Sequence, residues 1–407
     1  MKKNKPKKWV KFRHKIITSV AGLILSPITK LSYGVKVKKF TENKGRQYLI
    51  LFNHQTAFDQ FFVSMAFKKP IYFVASEDIF SNGFISKLLR YAVAPIPIKK
   101  QTTDMQVIAD CLKVAKEGGT IAVAPEGNRT YSGKTEHVKK AIAKFAKLLK
   151  LPIAFFVIRG GYGVKPRWSD VNRKGKMQAQ VESVLEYEEY KDMPVDKLYD
   201  LICERLFVFE ACDLGEYKHK KRAEYLERAV YVCPKCGFSE FYSRGENITC
   251  KKCGLKAVYG KDKKLKFNDE SVKFEYFNDW YEYQNHFVNE VYNPSEYSAP
   301  LYTDTASLKQ VILYKKKRLL AKSIKISLYS DKVVIEGKSK KVQLPLTIPF
   351  EDAGAFTVLG KNKLNVYYNG EIYQVKGDKR FNALKFVNLY HRYKNFKENA
   401  NGKFLGL

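Results

Sequence analysis

The sequence predicts an α/β domain with a mixed sheet covered by helices. A module with two Cys-x-x-Cys pairs and a small antiparallel β domain closed by a C-terminal helix are predicted to follow it. Three observations lead to this order. Apolar runs alternate with helical patterns from residue 47 to residue 157, which is typical of a sheet with covering helices. The cysteine pairs come next, and beyond residue 310 short alternating runs are separated by turn signals.

Length and charge limit the classes of function. The 407 residues are enough for two or three domains. Lysine and arginine number 74 against 41 aspartates and glutamates, a net charge of +33. Such an excess predicts attraction to a polyanion, either nucleic acid or an anionic membrane. The odd number of cysteines, seven, favours a reducing compartment over a disulfide framework.

The N-terminal segment, residues 1–40, is basic and amphipathic. It contains no carboxylate, and apolar residues from Trp9 to Ile24 recur at spacings of three and four. This pattern predicts a helix that lies on an anionic membrane surface. The uncharged run over residues 16–29 is shorter than the roughly 20 residues of a bilayer span, and Pro27 is expected to interrupt it. A helix packed on the next domain and a signal peptide are the alternatives.

The first motif joins a predicted strand to a predicted helix. Leu49–Phe52 is an apolar run that ends in Asn53 and His54, and Asp59 begins the following helical pattern. A carboxylate at that place can accept a hydrogen bond from one imidazole nitrogen, which leaves the other basic. The pair is therefore a candidate general base, and a structural histidine is the alternative.

The second motif follows another apolar strand, which begins at Thr120. The strand ends in a turn that carries Glu126, Gly127 and Arg129. Glycine permits close backbone approach, and an arginine can hold a phosphate with two hydrogen bonds. A base on one loop and an anion clamp on another indicate chemistry on a phosphorylated hydroxyl compound.

Together the segments NHQTAFD and PEGNRT resemble the signature of the glycerolipid acyltransferases, the 1-acylglycerol-3-phosphate acyltransferase family. The family patterns are N-H-x4-D and F-P-E-G-T-R-S, and the resemblance extends from about Gly45 to Tyr190. It implies that His54 deprotonates the acceptor hydroxyl and that Asp59 orients His54. It also implies an acceptor-phosphate site, formed by Glu126, Gly127 and Arg129.

The family's middle motif usually ends in arginine, whereas here it ends in Lys99 and Lys100. Lysine supplies charge without the guanidinium fork, so both lysines are expected to help hold the phosphate. The stretch Leu151–Val157 lacks the second proline of the last family motif and is predicted to be a buried strand.

The resemblance implies acyl transfer to the free hydroxyl of lysophosphatidic acid, which gives phosphatidic acid. Acyl carrier protein, coenzyme A or phosphate would carry the acyl group, and no catalytic cofactor is needed. The alternative acceptors are glycerol 3-phosphate and other lysolipids. We expect a peripheral enzyme at the cytoplasmic face of the membrane, with anionic phospholipids and the lysophospholipid as partners. The acyltransferase domain is placed at residues 41–228.

Two knuckles define the next module, residues 229–262. Cys233, Cys236, Cys250 and Cys253 supply four thiolates in Cys-x-x-Cys pairs, the ligand set of a structural zinc ion. We therefore predict a zinc ribbon. The other cysteines, Cys111, Cys203 and Cys212, show no partner pattern and are predicted to be ordinary buried thiols.

The ribbon also raises a non-catalytic alternative, an adaptor that binds nucleic acid or a membrane through the ribbon and the basic surface. Glu240 and Glu246, which lie between the knuckles, argue against nucleic acid, and the two motifs are unexplained on that hypothesis. A scaffold that joins two domains is the preferred role of the ribbon.

The remaining chain is predicted to contain a linker, residues 263–308, and a β domain, residues 309–397. Alternating runs such as Val311–Tyr314 and Val333–Ile335 are separated by turn signals such as Asn369-Gly370. An apolar helix over Phe381–Tyr393 follows. This pattern resembles pleckstrin-homology or GRAM-type domains.

Two stretches lie between the second motif and the cysteine module. The glycine-rich basic segment 159–173 is either a contact for lipid headgroups or a solvated turn. Residues 195–228 are predicted to be mostly helical.

Overall fold

A computed structural model describes residues 8–41, 45–98, 105–211, 215–397 and 404–406. The chain divides into two units. The described residues of Met1–Arg129, Thr135–Gly161 and Lys176–Val208 form the first unit, and those of Thr130–Lys134, Tyr162–Gly175 and Phe209–Leu407 form the second. Segments 130–134 and 162–175, which the sequence places in the acyltransferase domain, therefore group with the C-terminal residues.

The first unit is built on a seven-stranded sheet with the order β1-β7-β6-β2-β5-β3-β4. All neighbouring strands are parallel except β6 and β7, which confirms the predicted mixed sheet. The central strand β2 is buried along its whole length, as expected for a continuous apolar run covered on both faces. The strands are β1 (Val35–Val37), β2 (Leu49–Phe52), β3 (Ile71–Ser76), β4 (Ile96–Ile98), β5 (Thr120–Val123), β6 (Ile153–Arg159) and β7 (Met177–Leu185).

Helices connect the strands of the first unit and cover its sheet, and α9 and α10 belong to the second unit. The helices of the described chain are α1 (Phe12–Tyr33), α2 (Asp59–Ala66), α3 (Phe84–Ala92), α4 (Met105–Lys116), α5 (Ala141–Leu149), α6 (Gly161–Val164), α7 (Tyr187–Tyr190), α8 (Val195–Leu206), α9 (Phe277–His286) and α10 (Leu384–Lys397). The core of the first unit includes Leu49 and Leu51 of β2, Ile142 and Ala146 of α5, and Leu198 of α8. Because α8 ends at Leu206, the prediction of helix through residue 228 is wrong for most of that segment.

The N-terminal helix α1 runs without interruption through Pro27 and ends at Gly34, whose backbone adopts a φ of 62°. The expectation that Pro27 breaks the helix is therefore wrong. Proline removes one donor from the helix, and the carbonyl that loses its partner belongs to Leu23, which is 79% exposed and open to solvent. At 22 residues, α1 is long and apolar enough to cross a membrane by length and composition, and 11% of its most apolar window is buried.

The second unit contains a seven-stranded sheet in which every neighbouring pair is antiparallel, with the order β17-β16-β15-β14-β20-β19-β18. Helix α10 closes it, and Tyr390 of α10 stacks on Phe356 with ring centroids 4.8 Å apart. The predicted antiparallel sheet with a terminal helix is confirmed. Its strands are β14 (Tyr302–Gln310), β15 (Arg318–Leu328), β16 (Lys332–Gly337), β17 (Leu346–Pro349), β18 (Ala355–Leu359), β19 (Lys363–Tyr368) and β20 (Glu371–Gly377).

One predicted strand of this sheet is wrong. Residues 311–314 form an irregular segment and a turn, whereas the strand lies just before them, at Tyr302–Gln310. Most of that strand lies within residues 263–308, which the sequence predicts to be a linker. Its alternation of polar and apolar residues is weak, and its pairing with two neighbouring strands decides its conformation.

The cysteine module consists of short antiparallel strands. A two-stranded hairpin precedes a four-stranded sheet of order β10-β11-β12-β13. Trp280 of α9 donates a hydrogen bond from its indole nitrogen to the carbonyl of Val232, at 2.9 Å. The strands are β8 (Val232–Cys233), β9 (Gly237–Phe238), β10 (Phe241–Arg244), β11 (Asn247–Cys250), β12 (Lys256–Tyr259) and β13 (Leu265–Phe267).

Most of the second half of the basic segment 159–173 is buried, so that part is neither a solvated turn nor a surface for lipid headgroups. Trp168 is fully buried, and Arg167 and Arg173 are each 2% exposed. Arg173 lies over the rings of Trp168 and Tyr259, at 4.9 and 5.0 Å from their centroids. Burial of these arginines is compatible with the fold because aromatic faces and carbonyl oxygens replace water around them.

Candidate active site

The two motif loops leave the sheet side by side. Strands β2 and β5 are parallel neighbours, with Leu51 opposite Val123. His54 follows β2 and Glu126 follows β5, so both loops emerge at the carboxyl edge of the sheet, where α/β folds bind ligands. Sheet topology alone therefore brings the two motifs together.

His54 and Asp59 form a hydrogen-bonded pair at this edge. The His54 Nδ1 lies 2.8 Å from the Asp59 Oδ2. The side chain of Asp59 is fully buried, whereas that of His54 is 24% exposed. This geometry directs Nδ1 to the carboxylate, so Nε2 is the nitrogen that can exchange a proton with a substrate.

The Asp59 carboxylate is surrounded by donors besides the imidazole. It accepts from the backbone N–H of Gln55 at 2.7 Å and from that of Thr56 at 2.9 Å. The Thr56 hydroxyl donates to the same carboxylate at 2.6 Å. A buried carboxylate needs such partners, and here they close the four-residue loop between the histidine and the helix.

Asn53 fixes the residue that precedes His54. Its side-chain amide donates to the carbonyl of Ile158 at 2.8 Å and accepts from the Ile158 N–H at the same distance. Asn53 is fully buried. The end of β2 is thus held to the end of β6 beyond their last shared backbone pair, Phe52 with Phe156.

Glu126 connects the two motif loops. One carboxylate oxygen accepts from the N–H of His54 and the other accepts from the N–H of Glu136, both at 2.7 Å. Burial raises the pKa of Glu126 well above its usual range, and the two backbone hydrogen bonds oppose that shift. Both oxygens are engaged by the protein, so Glu126 positions the backbone of His54. Its contact with a phosphate stays a prediction.

The other predicted phosphate ligands have different surroundings. Gly127 is exposed and adopts a φ of +67°, a left-handed conformation that favours glycine. Arg129 is half-buried. Burial raises the pKa of the Tyr33 hydroxyl, and the charge of Asp59 raises it further, whereas the charge of Arg129 lowers it. Arg129 and Asp59 therefore both lie within electrostatic range of Tyr33. Lys99 and Lys100 lie outside the described residues.

Two aromatic residues at the start of α2, the N-cap Phe58 and Phe62, differ in burial. Phe62 is fully buried, whereas Phe58 is 41% exposed and lies 5.2 Å from the ring of Tyr33. Phe62 also contacts Tyr33, at 5.5 Å between centroids. Phe62 is therefore part of the core, whereas Phe58 lies at the surface.

The four predicted metal ligands lie together in the second unit. The sulfur atoms of Cys233, Cys236, Cys250 and Cys253 are all within 4.8 Å of one another. The Cys233 and Cys253 sulfurs are 3.6 Å apart, as are those of Cys236 and Cys250. A tetrahedral zinc ion with zinc–sulfur bonds of about 2.3 Å requires sulfur atoms about 3.8 Å apart, so the donor set fits the ion. Of the remaining cysteines, Cys111 is buried and Cys203 is half-buried, and Cys212 lies outside the described residues.

Comparison with known proteins finds a family match over part of the chain. Residues 35–159 match the acyltransferase family, so this segment, which contains both motifs, is an acyltransferase domain. The predicted resemblance is confirmed over that range.

Among solved structures, the 1-acyl-sn-glycerophosphate (LPA) acyltransferase PlsC from Thermotoga maritima is similar to this chain. The match covers 47% of this chain and 75% of that protein, with 21% sequence identity and a TM-score of 0.38. A search of curated proteins found no match.

Sequence reasoning missed two residues that position the base. The first, Thr56, stands three residues before Asp59, and a threonine followed three residues later by an acid is the signature of a helix start. That signal was present in the sequence. The second, Asn53, has its partner Ile158 105 residues away, and a local sequence pattern does not indicate such a contact.

We expect Asn53→Ala to destabilise the first unit. The substitution leaves the N–H and the carbonyl of Ile158 buried without the Asn53 side chain, at a cost of about 1–3 kcal/mol for each unsatisfied group. Urea denaturation of the whole chain measures this free energy. The matched control is Asn82→Ala, which removes an exposed amide that bonds only to the Asp78 carbonyl in its own turn and should change stability by less than about 0.5 kcal/mol. Equal effects of the two substitutions would contradict the assignment.

Proposed function

We propose that this protein is a peripheral membrane acyltransferase that converts lysophosphatidic acid to phosphatidic acid. It would transfer the acyl group from an acyl thioester or an acyl phosphate to the free hydroxyl of the lysolipid. The observation that carries the proposal is the His54–Asp59 pair, 2.8 Å apart, at the carboxyl edge of an acyltransferase domain and joined through Glu126 to the second motif loop.

In the proposed reaction, His54 acts as general base. Its Nε2 takes the proton of the acceptor hydroxyl as that oxygen attacks the carbonyl carbon of the donor. The new ester bond forms, the bond to sulfur or to phosphate oxygen breaks, and His54 returns the proton to the leaving group or to water. Asp59 holds the required tautomer and stabilises the imidazolium ion. General base catalysis of this kind contributes about 10²–10⁴-fold.

The acceptor would be recognised through its phosphate. Arg129 can donate two parallel hydrogen bonds to a phosphate, and it follows the Glu126 turn that holds the backbone of His54. A phosphate held there would bring the acceptor hydroxyl to the imidazole, and such positioning supplies a large share of the rate enhancement of a two-substrate reaction. Lys99 and Lys100 are proposed to add positive charge.

Two helices of the first unit support a membrane-surface location. Both ends of α1 contact that unit, through His14 with Tyr72 at 3.0 Å and through Tyr33 with Phe62. A helix held at both ends lies along the domain. Its outer surface carries eight apolar side chains that are 38–90% exposed, among them Phe12, Leu23 and Leu31, and no acidic residue occurs in its sequence.

Helix α3 extends the same kind of surface. Phe84, Ile85, Leu88 and Tyr91 are 53–78% exposed, and Tyr91 lies under the guanidinium of Arg13 from α1, at 4.0 Å. Exposed apolar side chains next to cations match the boundary between acyl chains and anionic headgroups. We infer a peripheral location on the cytoplasmic face, where reduced cysteines are also stable.

The four-cysteine cluster is proposed to hold a structural zinc ion. Zinc would be bound by four thiolates with no open position, so its contribution would be to folding and not to chemistry.

The acyl-transfer proposal predicts that His54→Ala abolishes turnover while vesicle binding is preserved. We expect kcat to fall by about 10²–10⁴-fold with His54→Ala or Asp59→Asn, because both remove the oriented base. The assay measures transfer from labelled acyl thioesters and acyl phosphate to lysophosphatidic acid on anionic vesicles. Arg129→Gln should weaken use of lysophosphatidic acid and leave a neutral monoacylglycerol acceptor unaffected.

The control is His286→Ala, an exposed histidine in the second unit, which should retain full activity. If the wild type transfers no acyl group from any donor yet binds the vesicles, the enzymatic proposal fails and the adaptor hypothesis replaces it.

The membrane-surface location predicts that α3 contributes to vesicle binding. Phe84→Ser/Leu88→Ser should weaken partition to phosphatidylglycerol–phosphatidylcholine vesicles by about tenfold or more, because it removes apolar area that the lipid would bury. Sedimentation with the vesicles measures the partition. The matched control is Leu148→Ser/Phe207→Ser, since these side chains of the first unit are also about half exposed, at 48% and 51%. Equal partition of the two variants would place the membrane contact elsewhere.

The zinc proposal predicts about one zinc ion per chain, bound by the four thiolates. Cys250→Ser should lose the ion and lower the unfolding temperature of the chain, because binding free energy is folding free energy at such a site. Elemental analysis after dialysis and thermal denaturation measure the two effects. Cys203→Ser, in the first unit, should retain the metal. A wild-type protein that stays free of zinc after refolding with the ion would refute the assignment.

A further inference from the structure

A basic basin lies in the second unit, apart from the residues assigned to acyl transfer. It has a volume of about 640 Å³ and is lined by Asn172, His219 and six cations. We call it the basic basin; its cations are Lys174, Lys218, Lys220, Lys221, Arg222 and Lys261.

Backbone hydrogen bonds hold the three segments of the basin together. Lys174 and Lys218 exchange two N–H to carbonyl hydrogen bonds, at 3.0 and 2.8 Å. The N–H of Tyr217 donates to the carbonyl of Lys261 at 2.7 Å. The positions of the cations are therefore set by the fold and not only by flexible side chains.

The basin carries more positive charge than its acidic neighbours balance. Glu216 pairs with Lys218 and Lys261, at 3.0 and 2.7 Å. Glu246 pairs with Arg222, and Glu224 approaches Lys221 only to 3.9 Å. These three carboxylates against six cations leave a charge of +3, and Asp262, which raises the pKa of Arg222, reduces it to +2. Within the described part of the chain, neither Lys174 nor Lys220 forms an ion pair.

A buried arginine next to the basic basin adds to its positive charge. Arg173 is 2% exposed, and its guanidinium donates to the carbonyl of Arg222. Burial lowers the pKa of His219 and that of Arg222, and the charge of Arg173 lowers both further. Like charges crowded in this way repel one another, and a bound anion would relieve the repulsion.

We propose that the basic basin binds a phosphate group, carried either by a small soluble ligand or by a lipid headgroup. Its volume lies within the range of about 300–1,000 Å³ that is usual for small-ligand sites. Lysine and arginine are the residues that bind phosphate. Apart from His219, the described lining contains no ring on which a nucleic-acid base would stack, which favours a compact phosphate over a polynucleotide. The proposal is independent of acyl transfer.

The soluble arm of the test uses inorganic pyrophosphate and the whole chain at constant ionic strength. Lys174→Gln/Lys220→Gln should weaken pyrophosphate binding, measured by calorimetry, by about tenfold, because two charge-assisted contacts are lost. Lys338→Gln/Lys340→Gln is the control, since both lysines are exposed in the second unit away from the basin and the net charge of the two variants is identical. His54→Ala should bind pyrophosphate like the wild type.

The lipid arm uses vesicles of phosphatidic acid in phosphatidylcholine. If pyrophosphate binding depends on the basin lysines, a soluble phosphate fits the site. If only binding to these vesicles falls in the basin variant and not in the control, the phosphate is that of a headgroup. If the two double substitutions have equal effects on both probes, the basic basin is not a phosphate-binding site, and only the net charge of the protein affects binding. Thermal denaturation of both variants verifies that they are folded.

Discussion

The buried carboxylate of Asp59 is the constraint on which the geometry of the candidate site depends. An anion removed from water must be compensated by donors, and here the donors are the imidazole of His54, two successive backbone N–H groups and the Thr56 hydroxyl. The loop after β2 has to close around the carboxylate to supply them. The conformation that satisfies Asp59 is therefore the conformation that orients the histidine.

The position of His54 is determined from three directions. Its ring is held by Asp59, its backbone N–H by Glu126, and the residue before it by the bonds of Asn53 to Ile158. These partners come from α2, from the loop after β5 and from β6. Because β6 and the loop after β5 belong to the same sheet as β2, and α2 follows β2 in the chain, the sheet determines the position of the imidazole. An imidazole held this way would need little reorganisation to act as the proposed base.

Local features of this fold could be predicted from the sequence, whereas contacts between distant segments could not. The strand before His54, the strand before Glu126 and the cysteine knuckles follow from short-range patterns. The burial of Arg167 and the strand Tyr302–Gln310 depend on partners far along the chain. For the candidate site, the motif spacing predicted the His54–Asp59 contact, but the role of Asn53 required the position of β6.

The net charge of +33 is divided between cations that stabilise the fold and cations that remain available to ligands. Arg228 is 2% exposed and pairs with Asp170 at 2.8 Å. Burial would raise the pKa of Asp170, but hydrogen bonds from Arg228 and Lys361 outweigh it and lower the pKa to about 2, so the pair is ionised at neutral pH. Arginines that are buried and paired in this way stabilise the fold and are not accessible to a ligand. Lys174 and Lys220 have no comparable partner among the described residues. The net charge of a chain is therefore a weaker guide to its ligands than the location of the few cations that form no ion pair in the folded protein.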